Sequence, residues 1–451
     1  MRAAATCGDS VMTQRRPSQE RPEATAPCDV LVIGGGPAGA TVSALLAERG
    51  RHVVVVEKDR HPRFHVGESL LPQNLELFER LGVHEEIRRI GIYKPGAEFV
   101  AVDRGEPIIF RFANALGSRY THAYQVRRSE FDATLIANAR RRGAEVHEET
   151  RVIDVAFPPD ATIGVRALDG SGMERNWAPR FIVDASGRDT FLAGRLAMSV
   201  PNKRNNTAAI YAHFRGVERH SGDDEGLITI HLFDGGWIWM IPLPENVMSI
   251  GVVARSAFFK RRTTDVATFF RAALAAVPSV AKRMNDAQLV SKVTSTGNYS
   301  YTSRRLAGDR YLLVGDAYAF IDPIFSSGVM LAMSGGKLAA DAIDVWLDDP
   351  ARARPLFKTY GRKVRHGLSE LSWLIYRIND PVFRDMLLAP SNRFRMREGL
   401  IAILAGNIHG DASLRVPMAA FRSAFYFLKT LQPLGIRLTR DGLRRLGVGS
   451  T

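Results

Sequence analysis

Glycines at a fixed spacing suggest the first chemistry. Gly34-x-Gly36-x-x-Gly39 lies between an apolar run at 29–33 and a helix-like stretch at 40–49, and a second apolar run at 52–56 ends at Glu57. Glycines so spaced let the chain turn tightly, bring backbone close to a pyrophosphate and pack helix on strand, while the helix N-terminus offers free N–H groups to phosphate. An acid at the end of the second strand can bind ribose hydroxyls. Gly34, Gly35, Gly36, Ala38, Gly39 and Glu57 are therefore candidates to hold a dinucleotide.

Other residues carry different chemistry. In Phe320-Ile321-Asp322-Pro323-Ile324-Phe325-Ser326-Ser327-Gly328, the N–H groups of Ser327 and Gly328 open a helix and can hold a small anion, with Val329 next in line. Lys94, in Tyr93-Lys94-Pro95-Gly96, is by residue type alone a solvated turn lysine; desolvated, it would be a polarising cation or a nucleophilic amine. Glu68, in Gly67-Glu68-Ser69-Leu70-Leu71-Pro72, offers a carboxylate that either places a cofactor or accepts a proton. Trp237 and Trp239 alternate along a strand and so share one face.

These groups need a scaffold. Strand, turn, helix and strand follow one another in about 30 residues from residue 28, a βαβ unit. Further buried strands are expected at 180–184, ending in Asp184-Ala185-Ser186-Gly187, and at 310–316, ending in Leu313-Val314-Gly315-Asp316. Residues 208–254, rich in aromatic and β-branched types and broken at Gly235-Gly236, read as a mostly antiparallel sheet. The fold class is α/β. A disordered leader (1–27) precedes a discontinuous nucleotide domain (28–95, 125–190 and 300–350); 96–124 and 191–299 form an inserted substrate-domain sheet, and 351–451 a helical C-terminal region.

Together with Gln125-Val126-x-Arg128, the segments from residue 28 to about 335 resemble the glutathione-reductase-type flavoproteins. The resemblance implies FAD as cofactor, with Asp316 on its ribitol and Gly315 and Arg128 beside it. Four segments then resemble the flavin-dependent halogenases: the Gly67-Glu68-Ser69 run, Gly236-Trp237-Ile238-Trp239-Met240-Ile241-Pro242, the Phe320 to Gly328 loop, and Lys94. That implies FADH2- and O2-dependent chlorination or bromination in secondary metabolism, such as antibiotic biosynthesis. Halide would sit at Ser327 and Gly328, hypohalous acid would travel to Lys94, and Trp237 and Trp239 would block direct oxygenation. Glu68 and Val329 would lie by the flavin. Phe325 stands where tryptophan-type halogenases carry glutamate, so the chain looks like the branch acting on phenols, pyrroles or carrier-tethered acyl groups.

No second Gly-x-Gly-x-x-Gly unit offers a nicotinamide site, so either nicotinamide binds transiently or a separate flavin reductase supplies the reduced flavin, and the reductase is expected. The +14 formal charge suits an acidic carrier protein, and without aromatic interleaving the late arginines do not mark a nucleic-acid surface. No stretch reaches the roughly 20 apolar residues of a membrane span, and with only Cys7 and Cys28 a disulfide framework is excluded and the cytoplasm expected. Isoprenoid reductases share the Gly-Glu-Ser and aromatic-strand segments, and an aromatic hydroxylase or a flavoprotein scaffold without turnover are further readings of this chain.

Overall fold

In the computed structural model, which describes residues 25–432 except 102–103, 160–161, 203 and 298–299, the chain builds two large sheets. The first has a parallel core ordered Tyr311–Leu313, Glu174–Asp184, Ala26–Ile33, Val53–Val56, Glu145–His147. Its central strands are buried on both faces, which is why Val53–Val56 is all valine rather than alternating. Helix Pro37–Glu48 lies against helices Arg128–Arg141 and Gly328–Asp348, and almost all of its length is buried. The first strand starts at Ala26, ahead of the Cys28 boundary read from the sequence. Strand Glu174–Asp184 is long enough to pair Trp177 with Ala26 and Ala178 with Pro27, so residues 26 and 27 do not belong to a disordered leader. The rest of that leader, residues 1–24, and the late arginines beyond 432 lie outside the described residues.

The second sheet is mainly antiparallel, with strands Thr207–Arg215, Val247–Arg255, Gly236–Leu243 and Ile228–Phe233 side by side. Gly96–Ala101 joins it in parallel to Ile228–Phe233. One face looks toward the first sheet. The other carries an apolar cluster of Ile238, Met240, Ile250 and Val252 covered by helix Val266–Ala275. A ribbon of Gly91–Lys94 with Ala123–Val126 links the two regions and carries Lys94 at its end.

Long helices close the molecule. Gly328–Asp348 stops at Asp349, whose side chain accepts from Ala351 and Arg352 N–H and starts helix Pro350–Ile375, with proline at the position that needs no donor. Helix Met396–Leu404 follows, then Arg415–Leu431, which buries Phe421 and Phe425 but leaves Phe427 exposed. Among the described residues no helix is long and apolar enough to cross a membrane, and no group of three or more His, Cys, Asp or Glu is placed to hold a metal.

Candidate active site

Glu57, Glu68, Arg128, Asp316, Trp237, Trp239, Ser327, Gly328 and Val329, although scattered over the chain, line one cavity of about 340 Å³ between the sheets, together with Gly34, Gly36 and Ala38. The turn that begins it depends on missing side chains. A Cβ on Gly39 would stand 1.9 Å from Gly34 O, and one on Gly34, at φ +103°, would strike Ala185 O at 2.4 Å. Gly36 is different: a Cβ there would meet only the Arg63 guanidinium, at 3.8 Å, which leaves a cradle of backbone and positive charge open for a pyrophosphate. Gly35 N–H donates to Glu57 Oε2 at 2.6 Å and Asp59 N–H to Oε1 at 2.9 Å, so Glu57 braces the turn while facing the cavity.

Arg128 forks onto Asp132 at 2.8 and 3.0 Å and reaches Val66 O at 2.9 Å. Burial alone would raise the Asp132 carboxyl, but Arg128 and Arg63 outweigh it and hold it below its usual range. Burial pushes Asp316 up to about 6 against the pull of Arg128 and Arg188. Gly315, at φ +60°, is not among the lining residues and lets the strand end approach Ala332 of the following helix. The donors, carboxylates and open glycine fit a flavin dinucleotide.

Trp237 and Trp239 do share a face, their rings 5.8 Å apart, and the Trp239 indole N–H donates to Ser249 Oγ at 3.1 Å. The neighbouring strand makes room for that ring with Gly251, where a Cβ would lie 2.2 Å from the indole. At the loop before helix Gly328–Asp348, Leu331 N–H donates to Ser327 O at 2.9 Å, which leaves the N–H groups of the first turn ahead of it without an acceptor in the helix. Ser326 sits in the left-handed region at φ +55°.

Lys94 is not in this cavity. It lines a chamber of about 20 Å³ with Phe99, Phe110, Phe112, Phe325 and Leu404. The chamber shares Ile228, Ile230 and Ser326 with the large cavity, so these form the wall between them. Lys94 is 1% exposed; its Nζ donates to Ser69 Oγ and Leu70 O, both at 2.8 Å, and lies 5.2 Å from the Phe112 ring centre. Desolvation lowers its pKa to about 7.

Residues 27–367 match the family model of the FAD binding domain. A 1H-pyrrole-2-carbonyl-[peptidyl-carrier protein] chlorinase of Pseudomonas fluorescens is 30% identical over 86% of this chain and 91% of its own length. The chain belongs to the flavin-dependent halogenases. A brominase of Pseudoalteromonas luteoviolacea named for the same carrier-bound pyrrole is 29% identical, over 80% of this chain and 90% of that protein. The myxobacterial chondrochloren halogenase superposes with a TM-score of 0.73 at 32% identity, covering 78% of this chain and 82% of that one. FAD is thus the cofactor of this halogenase and halide its co-substrate, and the isoprenoid-reductase and hydroxylase readings are not favoured.

Four groups in the halogenase site were not legible in its sequence. Ser69 and the Leu70 carbonyl hold Lys94; only the alternation of Glu68 and Ser69 along an extended segment hinted that they face opposite sides. Asp322, raised to about 6 by burial, accepts from Asn205 Nδ2, Thr207 Oγ1 and Ile324 N–H and so ties the Ser327 loop to the second sheet. His213, on strand Thr207–Arg215, has its Nε2 2.6 Å from Glu68 Oε1, and no motif marks it.

Proposed function

We propose that the chain halogenates a small electron-rich ring, a pyrrolyl or phenolic group tethered to a carrier protein, through Lys94. The observation that carries this is a lysine buried from water and, among the described residues, without a carboxylate partner, held by two neutral acceptors one wall away from the flavin cavity. When bound and reduced, FAD supplies the electrons with which O2 and halide become hypohalous acid. The chain's own residues do the rest. Ser327 and Gly328 hold the halide with the N–H groups of a helix start. Asp322 fixes that loop, and Trp237 and Trp239 fill the space in which a substrate would otherwise meet the flavin.

With its pKa drawn down to about 7, Lys94 has a neutral amine available at neutral pH. That amine exchanges one N–H for N–X with HOX, releasing water, then gives the halogen to the ring and recovers the ring proton. A tethered substrate is supported by the carrier-bound pyrroles of the two relatives and by the +14 charge, which suits an acidic carrier. A separate flavin reductase is supported by the single Gly-x-Gly-x-x-Gly turn. The test supplies FAD, a flavin reductase, NADH, O2 and bromide with free and carrier-bound pyrroles and phenols, and reads products by mass spectrometry. A bromine isotope pair on a carrier-bound ring, absent in Lys94→Ala, is the expected result. Bromination of free rings alone would remove the carrier from the proposal.

A further inference from the structure

Halogenation by this chemistry has a proton balance. Reduced flavin, O2, halide, a ring C–H and one proton give oxidised flavin, the C–X product and two waters. The wasteful alternative, reduced flavin and O2 giving oxidised flavin and H2O2, takes up no proton. Each productive turnover therefore draws a proton from solvent to match the charge of the entering halide, and the cavity needs a path for it.

We propose that His213 and Glu68 form that path. Glu68 lines the flavin cavity and is 2% exposed. Its Oε1 lies 2.6 Å from His213 Nε2, and its buried Oε2 has no hydrogen-bond partner among the described residues. Leaving a buried carboxylate oxygen unbonded is costly, and the cost is understandable where a transient partner meets it. His213 does not line the cavity; its side chain is 16% exposed, with Phe64, itself 56% exposed, set edge-on at 5.6 Å. The pair thus runs from near the surface to the cavity wall. It joins a loop beside the first sheet to a strand of the second.

Imidazole suits the outer position because it takes a proton on one nitrogen and releases one from the other. A bond to hydrogen breaks at His213 Nε2 and forms at Glu68 Oε1; the carboxyl then rotates about its Cγ–Cδ bond, brings that same proton to the cavity and releases it there, and no electrons change hands. Ionisable groups around the pair include Tyr211, two residues earlier on the strand, whose phenol feels both Glu68 and Arg188, His65 on the Glu68 loop, and Arg128, which donates to Val66 O and Gly67 O of that loop. Lys94 faces the other chamber and is separated from Glu68 by Ser69. The inference rests on the halide chemistry proposed above, not on the identity of the ring.

The test compares wild type with Glu68→Gln, which keeps the shape, and with His213→Ala. Halogenated product and H2O2 per FADH2 oxidised are followed from pH 6 to pH 9 in holoenzyme. Both variants are expected to lose at least about tenfold in product-to-peroxide ratio at pH 8, with the deficit closing toward pH 6, where protons are plentiful. Added imidazole restores the ratio in His213→Ala. A second readout needs no turnover: if the pair delivers a proton as the halide enters, bromide added to oxidised holoenzyme in weak buffer draws protons from an indicator dye. That uptake falls by at least half in Glu68→Gln. A wild-type ratio at pH 8 in both variants, or a fall in FAD affinity that accounts for the whole loss, would overturn the proposal. Wild type yielding only peroxide, whatever the halide, sinks the halogenation reading instead; the dye measurement still decides on the pair.

Discussion

The flavin cavity and the Lys94 chamber share a wall but are built on opposite principles. The cavity is made of backbone: glycines that let strands and helix starts come close, N–H groups at two helix ends, and carboxylates that brace turns. The chamber is made of side chains. Aromatic rings from Gly96–Ala101, Arg104–Arg111 and the residues after them, with Leu404 from a C-terminal helix, close around a single amine. A backbone cradle can receive a large polar cofactor without moving. An apolar chamber of about 20 Å³ has room for little more than one water-sized molecule, so a ring must displace part of its lining to reach Lys94. The larger site is open to its cofactor, and the smaller one holds the buried amine.

The contrast is broken most completely at Lys94. Replacing it with methionine should lower halogenation at least about 10²-fold while FAD still binds, read by product mass spectrometry and flavin absorbance. The same variant should be more stable than wild type, on the order of a few kcal/mol at or below pH 7. The sign follows from linkage. Lys94 titrates near 7 in the fold and at about 10.4 unfolded, so between those values the unfolded chain holds the extra proton. Stability of the wild type therefore rises with pH across that window, and the advantage of Lys94→Met fades toward pH 10; a denaturant series at several pH values measures it. In turnover, the acid limb of the wild-type profile should rise through about pH 7 as Lys94 loses its proton. An acid limb unchanged by every substitution around Lys94 would argue against the neutral amine.

A smaller effect tests the wall of the larger cavity. Gly251→Ala pushes a methyl into the Trp239 indole and should cost about 1–3 kcal/mol in denaturant unfolding, with more peroxide per product as the ring is displaced. The smallest expected change is Ser69→Ala. Losing one acceptor of the Lys94 ammonium disfavours the charged form, so the acid limb should move to lower pH, and halogenation should fall by about fivefold as the amine loses one of its two anchors. No movement of that limb would show that Ser69 is not what holds the lysine.

Much of the first sheet could be read in advance, because its code is local. The glycine spacing, the valine run at Val53–Val56 and the acid at Glu57 fall where the turn needs them, within one βαβ unit. The shared face of Trp237 and Trp239 follows from strand period alone. Resemblance, not residue type, singled out Lys94; by type it was a surface lysine before a proline. The partners in space were hidden. Ser69 meets Lys94 across 25 positions and His213 meets Glu68 across 145, and neither separation leaves a pattern in the chain.

The sequence by itself determined the dinucleotide turn, the α/β class and the family, since each depends on residues close together in the chain or on motifs matched segment by segment. Only the tertiary structure decided that Lys94 is sealed from water, that a thin wall of Ile228, Ile230 and Ser326 divides it from the flavin cavity, and that Glu68 reaches outward through His213. Burial and desolvation belong to the packing of distant segments, and it is desolvation that draws the Lys94 pKa down.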